Sequence, residues 1–464
     1  MPIQPKFSLS QNNENICVKI YVPHIRVTNI ELIAENNNFT FYCQPYLLKL
    51  TFPGDIDGDN EKCRAVYNVD EEDGVVLANL PKKIPGEYFD DLDMTTKLLT
   101  KLTKQNEKIS IPSIDIISST TNIDADIDDD ADNNIEAVSS GLNLNPTYGF
   151  NNKYSNILGK LVGDNFIGLL ELSEPDKINN NLRRELRLAK ENESFDPSRY
   201  LGDHFDGIYD DIYINALEFK PSIHFTPKHI EELGQFKNRE YLLNDNDINN
   251  LLLGLVDIVY AYLYNCRINN GDIEIVDNNE IAYNIVKISS LFSWCDNYNN
   301  DSLYNVLVSL CRRTVIYPYI RRWDITLLVT NDLLHIFASG KKVLLSCLLH
   351  VYKIFEYGHS YYILNKLYII DYITWIQSLK TDVLEKFVLD LEKSVHLIKM
   401  HGKSDCCFKL NELEEWADSV INNDEEANDI PSHFYQFSLT DNILLKKGGD
   451  KVDGLELLLQ KIHI

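Results

Sequence analysis

The residues with the strongest chemical character in this sequence form a cluster of positive charge in the second half of the chain. The cluster consists of four arginines and their immediate neighbours: Arg312, Arg313, Arg321, Arg322, Trp323 and Asp324. A guanidinium group binds a carboxylate or a phosphate through two parallel hydrogen bonds. The cluster therefore predicts either salt bridges that tie neighbouring helices together or a site for an anionic ligand. Because the chain as a whole is strongly acidic, we favour the salt bridges.

The arginine cluster should lie on two helices that are separated by a break. Leu303, Val306 and Leu310 have the i, i+3, i+7 spacing of one helical face. Pro318 ends or kinks that helix, because proline lacks a backbone N–H and its ring collides with the preceding turn. One arginine pair precedes the proline and the other follows it, so the spacing places both pairs near helix ends.

No other motif has the spacing that a catalytic or cofactor site requires. The segment Gly402–Ser404 resembles the end of a phosphate-binding loop, but Leu397 occupies the place of the first glycine. One weak set of zinc ligands contains adjacent cysteines, which rarely bind one ion together. That set consists of His396, His401, Cys406 and Cys407. We therefore predict no catalytic residue, no cofactor and no metal site, and we interpret the protein as a non-enzyme.

The overall charge indicates the class of partner. The chain has 464 residues and a formal net charge of −26. Proteins that bind nucleic acid usually carry a basic face or stripe, so this acidic excess argues against direct binding to RNA or DNA. A basic protein is the more natural partner, because opposite charges steer association.

Cysteine usage and hydropathy predict a soluble intracellular protein. The nine cysteines are odd in number and form no C-x-x-C pair, which fits a reducing compartment. The longest apolar run, Leu251–Tyr264, is shorter than a bilayer span and contains Asp257. The N-terminus has no apolar signal core. We therefore expect no membrane association, and we expect a monomer.

The first 99 residues predict a small β-sandwich. Apolar and polar residues alternate in Ile16–Val22, Phe39–Cys43 and Leu48–Phe52, as in strands with one buried face. Turn residues such as Pro53–Gly54 separate these runs. About seven short antiparallel strands fit residues 1–99, and strands of that number and length are typical of a sandwich.

Residues 100–145 are interpreted as an acidic, disordered linker. No Lys or Arg occurs between Lys108 and Lys153, while aspartates are packed among Ser, Thr and Asn. Self-repulsion and the lack of apolar periodicity favour an extended tether in such a segment.

From residue 146 to residue 464 the apolar periodicity is helical. Predicted helices include Leu242–Tyr264, Lys341–Tyr357 and Tyr361–Leu379, and the connections between helices are short. No internal repeat is visible, so the pattern predicts one irregular all-α domain. A second acidic stretch without Lys or Arg lies between Lys409 and Lys446.

Several segments, taken in order, resemble one known family. P-K-F-S-L-S-Q, F-Y-C-Q-P-Y-L-L-K-L-T-F-P-G and Y-F-D-D-L-D-M-T-T-K-L-L resemble the N-terminal CS domain of the SHQ family of H/ACA ribonucleoprotein assembly chaperones. Phe195–Phe205, Asn238–Leu243, Gly254–Tyr262 and R-R-T-V-I-Y-P-Y-I-R-R-W-D resemble its SHQ-specific helical domain. The resemblance covers nearly everything except the acidic linker and the extreme C-terminus.

The resemblance implies a client and a cellular location. A family member would hold a free dyskerin-type pseudouridine synthase before guide RNA is loaded, and would cover its RNA-binding surface with carboxylates in place of phosphates. It would act in the nucleoplasm and the cytoplasm. Carboxylates for this contact are expected in the second acidic stretch, at Glu412, Glu414 and Glu415.

The resemblance also implies an exposed functional patch on the CS domain. Phe7, Gln11 and Lys82 occupy the positions that look like this patch. For Phe7 the sequence leaves open a second interpretation, in which it is a core residue of the first strand.

Two alternative functions remain open from the sequence. The first is a CS-domain adaptor for a heat-shock-ninety type chaperone, whose co-chaperones share the sandwich. The sequence departs from them, since no Trp precedes Trp294 and Ile84–Asp93 replaces their Trp-containing segment; a shared fold does not by itself establish a function. The second is RNA binding through the arginine pairs, which predicts a salt-dependent affinity for guide RNA.

Overall fold

The structure is a computed structural model that describes most of both predicted domains. The described residues are 3–23, 31–43, 45–58, 64–68, 74–100, 146–161, 169–206, 211–271, 278–299, 301–317, 320–358 and 360–422. The predicted linker, apart from Thr100, lies outside these residues, as do Pro318 and the second acidic stretch beyond Asn422.

Two antiparallel sheets form the N-terminal domain. Their strands are β1 (Lys6–Gln11), β2 (Asn15–Tyr21), β3 (Glu31–Glu35), β4 (Asn38–Cys43), β5 (Tyr46–Thr51), β6 (Arg64–Asn68) and β7 (Val75–Pro81). One sheet has the order β1-β2-β7-β6 and the other the order β3-β4-β5. The predicted seven-stranded antiparallel sandwich is confirmed.

Strand β2 shows why this segment of sequence folds as part of a sandwich. Ile16, Val18 and Ile20 are fully buried, and the residues between them are partly exposed. In the register of the sheet, Val18 lies opposite Leu9 of β1 and Ala78 of β7. Each fully buried aliphatic side chain contributes roughly 1.5–3 kcal/mol, so a shift of one residue would turn these side chains to solvent and is strongly disfavoured.

The second domain is built from helices, as predicted. Helix α1 (Thr95–Leu98) follows the sandwich. The other helices are α2 (Leu158–Leu161), α3 (Asn180–Ser194), α4 (Pro197–Asp206), α5 (Asp211–Glu218), α6 (Pro227–Leu233), α7 (Asp245–Ile268), α8 (Asn278–Ile288), α9 (Ser290–Ser293), α10 (Leu303–Thr314), α11 (Trp323–Ala338), α12 (Lys341–Tyr357), α13 (Tyr362–Leu364), α14 (Ile370–Ser378), α15 (Thr381–Leu397), α16 (Lys403–Asp405) and α17 (Leu410–Asn422). Wider π-type turns at Asn365–Ile369 and Ile398–Gly402 join α13 to α14 and α15 to α16.

Helix α7 is the central element of the helical domain. It begins with a capping box in which the Asn244 side chain accepts from the backbone N–H of Asp247, and the Asp247 carboxylate accepts from that of Asn244. It packs against α8, α10 and α11. Among the described helices α7 is long and apolar enough to cross a membrane, but 94% of its most apolar 18-residue stretch is buried inside the fold. It is therefore the core helix of this domain.

Helices α10 and α11 carry the arginine cluster. The Ser302 side chain caps α10 by accepting from the backbone N–H of Asn305 at 3.2 Å. Helix α10 then packs against α7 and α15. Arg312 and Arg313 lie in its last turn, and Arg322 directly precedes α11, so both arginine pairs lie at helix ends.

Candidate functional site

The centre of the arginine cluster is Glu191 on α3. Its side chain is fully buried and contacts three guanidinium groups. Arg187 and Arg313 donate to Oε1 at 2.9 and 3.1 Å, and Arg312 donates to Oε2 at 3.0 Å. Burial raises the pKa of Glu191, but the three arginines together reverse this effect and lower the pKa to about 2. Glu191 therefore stays ionised and joins α3 to α10.

Arg313 also contacts a second carboxylate, that of Glu171. Its Nη2 lies 3.2 Å from Glu171 Oε1 and donates to the Lys287 carbonyl at 2.5 Å and to Ser293 Oγ at 3.0 Å. The Trp294 indole N–H donates to Glu171 Oε2 at 2.6 Å. Burial raises the pKa of Glu171, yet the charges of Arg313 and Lys287 bring it below its ordinary value. The second ion pair thus anchors the segment before α3 to α8, α9 and α10.

The remaining donors of Arg312 bind α3 and the segment between α16 and α17. Its Nη1 donates to the Cys406 carbonyl at 2.6 Å, and its Nη2 donates to Asn192 Oδ1 at 2.9 Å. The guanidinium carbon lies 4.3 Å from the centre of the Phe408 ring. Arg312 therefore links α3 and α10 to the chain that leads into α17.

The second arginine pair fastens the start of α11 to α4. Arg321 donates to Asp203 Oδ2 from its backbone nitrogen at 2.7 Å and from Nη1 at 3.0 Å. Arg322 Nη2 donates to Asp324 Oδ2 at 3.0 Å, and its guanidinium lies 4.3 Å from the centre of the Tyr213 ring. Burial raises the pKa of Asp324, but its bonds to Arg322 and Tyr213 lower it overall.

All four arginines of the cluster are neutralised within the fold. Arg312, Arg313, Arg321 and Arg322 each pair with a carboxylate, and Trp323 is buried beside them. A phosphate could reach these guanidinium groups only by displacing those carboxylates. In the described part of the chain the geometry thus favours salt bridges over an anion site.

The three predicted patch residues of the sandwich do not form an exposed patch. Phe7 is fully buried in the core of the sandwich. Its ring also faces the helical domain at Gly234, where an added Cβ would lie 3.1 Å from the ring. Of the two interpretations that the sequence left open for Phe7, the structure shows the core residue and not the exposed one, because the first strand turns this side chain inward and α6 covers its edge. Its role in partner binding stays a prediction.

Lys82 is buried as well, with only 4% of its surface exposed. Its ammonium donates to Gln11 Oε1 at 2.9 Å, to the Asn12 carbonyl at 2.8 Å and to the Glu87 carbonyl at 2.7 Å. The half-buried Gln11 amide donates to the Phe89 carbonyl at 2.7 Å and accepts from its N–H at 3.0 Å. The predicted exposure is therefore wrong for Lys82, since these polar groups bind one another beneath the turn that follows β7.

A contact between the two domains was not predicted from the sequence. The Thr96 N–H donates to Gln377 Oε1 of α14 at 3.2 Å, and Asn238 Nδ2 donates to the Leu99 carbonyl at 2.7 Å. Met94 belongs to the apolar core of the helical domain. The segment around α1 therefore joins the sandwich to α6 and α14.

The three predicted acidic contact residues lie on α17. Glu412 and Glu415 are exposed, and neither forms an ion pair within the part of the chain that the structure describes. Glu414 is half-buried, accepts from the Tyr200 hydroxyl at 2.6 Å and pairs with Lys403. Two of the three carboxylates are thus available to a partner, and the third holds α17 against α4 and α16.

The weak set of zinc ligands does not converge on one point. His396 and His401 are exposed, whereas Cys406 is fully buried. Among the residues that the structure describes, no group of three or more His, Cys, Asp or Glu side chains could hold a metal ion.

Comparison with known proteins matches both domains. A family model described as "SHQ1-like, CS domain" matches residues 4–99, and one described as "SHQ1 protein, Shq1 domain" matches residues 214–406. A protein of Xenopus tropicalis named Protein SHQ1 homolog is 33% identical over 437 residues, which cover 89% of this chain and 69% of that protein. The chain belongs to the SHQ1 family.

Other members of the SHQ1 family match over similar lengths. The Mus musculus Protein SHQ1 homolog is 31% identical over 455 residues, covering 92% of this chain and 76% of that protein. Protein shq1 of Schizosaccharomyces pombe is 30% identical over 468 residues, covering 92% of this chain and 99% of that protein.

The residues matched by the two family models include the domain contact and the arginine cluster, but not the exposed carboxylates of α17. The CS match ends at Leu99, within the segment that contacts the helical domain. The Shq1 match contains the whole arginine cluster and ends at Cys406, whose carbonyl binds Arg312. Glu412 and Glu415 lie beyond both matches.

Proposed function

We propose that this member of the SHQ1 family assists the assembly of H/ACA ribonucleoproteins. It binds a free dyskerin-type pseudouridine synthase before guide RNA is loaded, and it covers the RNA-binding surface of that client. One observation carries the proposal: the helical domain neutralises its clustered guanidinium groups with its own carboxylates and keeps other carboxylates exposed at its surface. Arg312 and Arg313 are fully buried, whereas Glu412 and Glu415 are exposed.

This distribution of charge suits a basic protein client and does not suit RNA. The chain has a net charge of −26, so its long-range field attracts a basic surface and repels a phosphate backbone. Carboxylates placed where RNA phosphates would lie compete with RNA for the same lysines and arginines of the client. Binding of this kind is fast, salt-dependent and exclusive of RNA.

The proposal also assigns how and where the chain acts. It acts by binding, without catalysis and without direct contact to nucleic acid. It acts as a monomer in the nucleoplasm and the cytoplasm, where a synthase that has not yet received its RNA needs a soluble partner.

A binding experiment with the full chain tests the proposal. We expect it to bind free synthase at low salt, to bind less tightly at high salt, and to bind poorly to synthase that already carries guide RNA. Equal binding to the free and the RNA-loaded synthase, or no binding to either, would rule the proposal out.

A pair of charge variants localises the contact. Glu412→Gln with Glu415→Gln removes two exposed charges from α17, and Glu385→Gln with Glu392→Gln removes two exposed charges from α15. Surface ion pairs contribute roughly 0.2–1 kcal/mol each, so we expect the α17 variant to bind roughly two- to thirtyfold more weakly at low salt. The α15 variant has the same net charge and should bind like the unaltered chain. Equal losses in both variants would mean that only net charge matters.

A further inference from the structure

The turn that follows β7 exposes two large apolar side chains. Ile84 is 61% exposed and Tyr88 is 75% exposed, while Phe89 directly after them is buried in the sandwich. A tyrosine combines a large apolar surface with few rotatable bonds, so such residues dominate the energy of many protein interfaces. The turn 83–88 is therefore a candidate interaction surface.

Buried polar groups hold this turn in one shape. The Lys82 ammonium donates its three hydrogens to neutral oxygens and lies 5.3 Å from the centre of the Phe89 ring. Burying a charge that lacks an ionic partner is costly unless every donor is satisfied. Here all three donors are satisfied: Lys82, at the beginning of the turn, binds the Glu87 carbonyl at its end, and it also binds Gln11, whose amide holds the backbone of Phe89. Gln11 and Lys82 are thus positioning residues for the exposed pair.

The backbone of the turn is fixed by its own contacts. The Gly86 N–H donates to the Asn13 carbonyl at 2.6 Å, and Gly86 has a φ of +87°, which favours glycine. Lys83 pairs with Asp55 at 3.0 Å. A surface that is ordered before it binds loses less conformational entropy on association.

The charge around the turn selects the partner. Glu14 and Asp90 are exposed and Glu87 is half-buried, and none of the three forms an ion pair with another described residue. The one lysine of the turn, Lys83, is neutralised by Asp55. Three carboxylates without an ion pair among the described residues thus belong to the turn or its immediate neighbours, and their charge complements a basic surface and repels an acidic one.

We propose that the turn 83–88 docks a segment of the client in which an apolar residue is flanked by lysine or arginine. Ile84 and Tyr88 contact the apolar residue, and Glu14, Glu87 and Asp90 face its basic neighbours. The inference rests on the proposed function, because the client is the same basic synthase. It adds a second contact, on the sandwich, to the acidic contact of the helical domain.

The test compares variants of the full chain for binding to free synthase at low salt. We expect Ile84→Ser combined with Tyr88→Ser to weaken binding at least tenfold, and Tyr88→Phe to bind like the unaltered chain. Val66→Ser is the matched control, because Val66 is 58% exposed on β6 of the same sandwich. It should change affinity less than twofold. Thermal melting of each variant shows that the fold is retained.

A double-mutant cycle tests the positioning role of Lys82. Lys82→Met should weaken binding in the unaltered chain, because the turn loses its support. It should add no further loss to the Ile84→Ser/Tyr88→Ser variant, because the contact residues are already gone. A general loss of stability would instead weaken binding equally in both backgrounds, and that result would contradict the positioning role.

The outcomes separate this inference from the proposed function. If the unaltered chain fails to bind the synthase, both are overturned. If it binds and the Ile84→Ser/Tyr88→Ser variant binds within twofold of it, the docking turn is overturned and the proposed function stands. If Val66→Ser loses as much affinity as the turn variant, the contact is not specific to the turn and the inference is again overturned.

Discussion

Replacing Glu191 with glutamine should destabilise the helical domain by several kcal/mol. The substitution keeps the size of the side chain and removes the negative charge that three buried guanidinium groups share. Arg187, Arg312 and Arg313 would then be buried with less compensation. Breaking a buried ion pair by removing one partner typically costs about 3–5 kcal/mol.

The pKa of Glu191 gives an independent magnitude. Its pKa falls from 4.5 to about 2 in the fold, and one pKa unit corresponds to about 1.4 kcal/mol, so ionised Glu191 contributes roughly 3 kcal/mol. Because the folded pKa is the lower one, this contribution is fully present above about pH 4.5 and is lost as the pH falls towards 2. The difference between the unaltered chain and Glu191→Gln should therefore shrink to less than half at about pH 3.

Tryptophan fluorescence during urea unfolding reports the free energy of unfolding of the helical domain. All four tryptophans, Trp294, Trp323, Trp375 and Trp416, lie in the helical domain. The control is Glu185→Gln on the same helix, a half-buried carboxylate without an ion pair in the described structure. Its removal should cost less than about 1 kcal/mol at pH 7.

Two results would refute the reasoning. One is a loss in Glu191→Gln no larger than in Glu185→Gln at pH 7. The other is a difference between Glu191→Gln and the unaltered chain that stays constant from pH 7 to pH 3. Either would mean that Glu191 does not compensate the arginines as an ionised carboxylate.

Two further predictions concern the other domain and acid pH. Phe7→Ala should destabilise the sandwich by about 3–5 kcal/mol, because it leaves a cavity at a fully buried site. This loss should appear as faster amide hydrogen exchange in β2, and unchanged exchange would contradict the prediction. Burial, with His229 and Lys353, lowers the pKa of His350 from 6.5 to about 4. The helical domain should therefore lose stability as the pH falls from about 6.5 to 4. His350→Gln should make the free energy of unfolding, measured by urea titration, depend less on pH over this range. An unchanged pH dependence would mean that other groups cause the loss.

Elements with strong local periodicity were predictable from the sequence. The helix predicted at Lys341–Tyr357 has those bounds in the structure, and the strand predicted at Ile16–Val22 is observed at Asn15–Tyr21. Both predictions are right because buried and exposed positions recur at a fixed interval, every two residues in a strand and every 3.6 residues in a helix. The segment predicted as one helix at Tyr361–Leu379 is interrupted by a π-type turn at Asn365–Ile369, which changes the hydrogen bonding but leaves the apolar pattern continuous.

The exposure of individual polar residues was not predictable in this way. The family resemblance implies an exposed position for Lys82, yet the end of β1, the residue after it and the turn after β7 surround its ammonium with oxygen acceptors. Glu191 stands in a helix whose sequence looks like a charged surface helix. It is buried only because α10 brings Arg312 and Arg313 against it.

The sequence by itself determined the two fold classes, the acidic character and the family, because alternation, composition and ordered motifs are local properties of the chain. Only the tertiary structure decided where the charges lie: Arg312 and Arg313 turn inward to Glu191 and Glu171, and Glu412 and Glu415 remain exposed. The tertiary structure also determines the contact between the two domains, in which the Thr96 N–H donates to Gln377 Oε1. The physical reason is that these pairings join residues far apart in the chain, and their partners are set by packing and not by spacing in sequence.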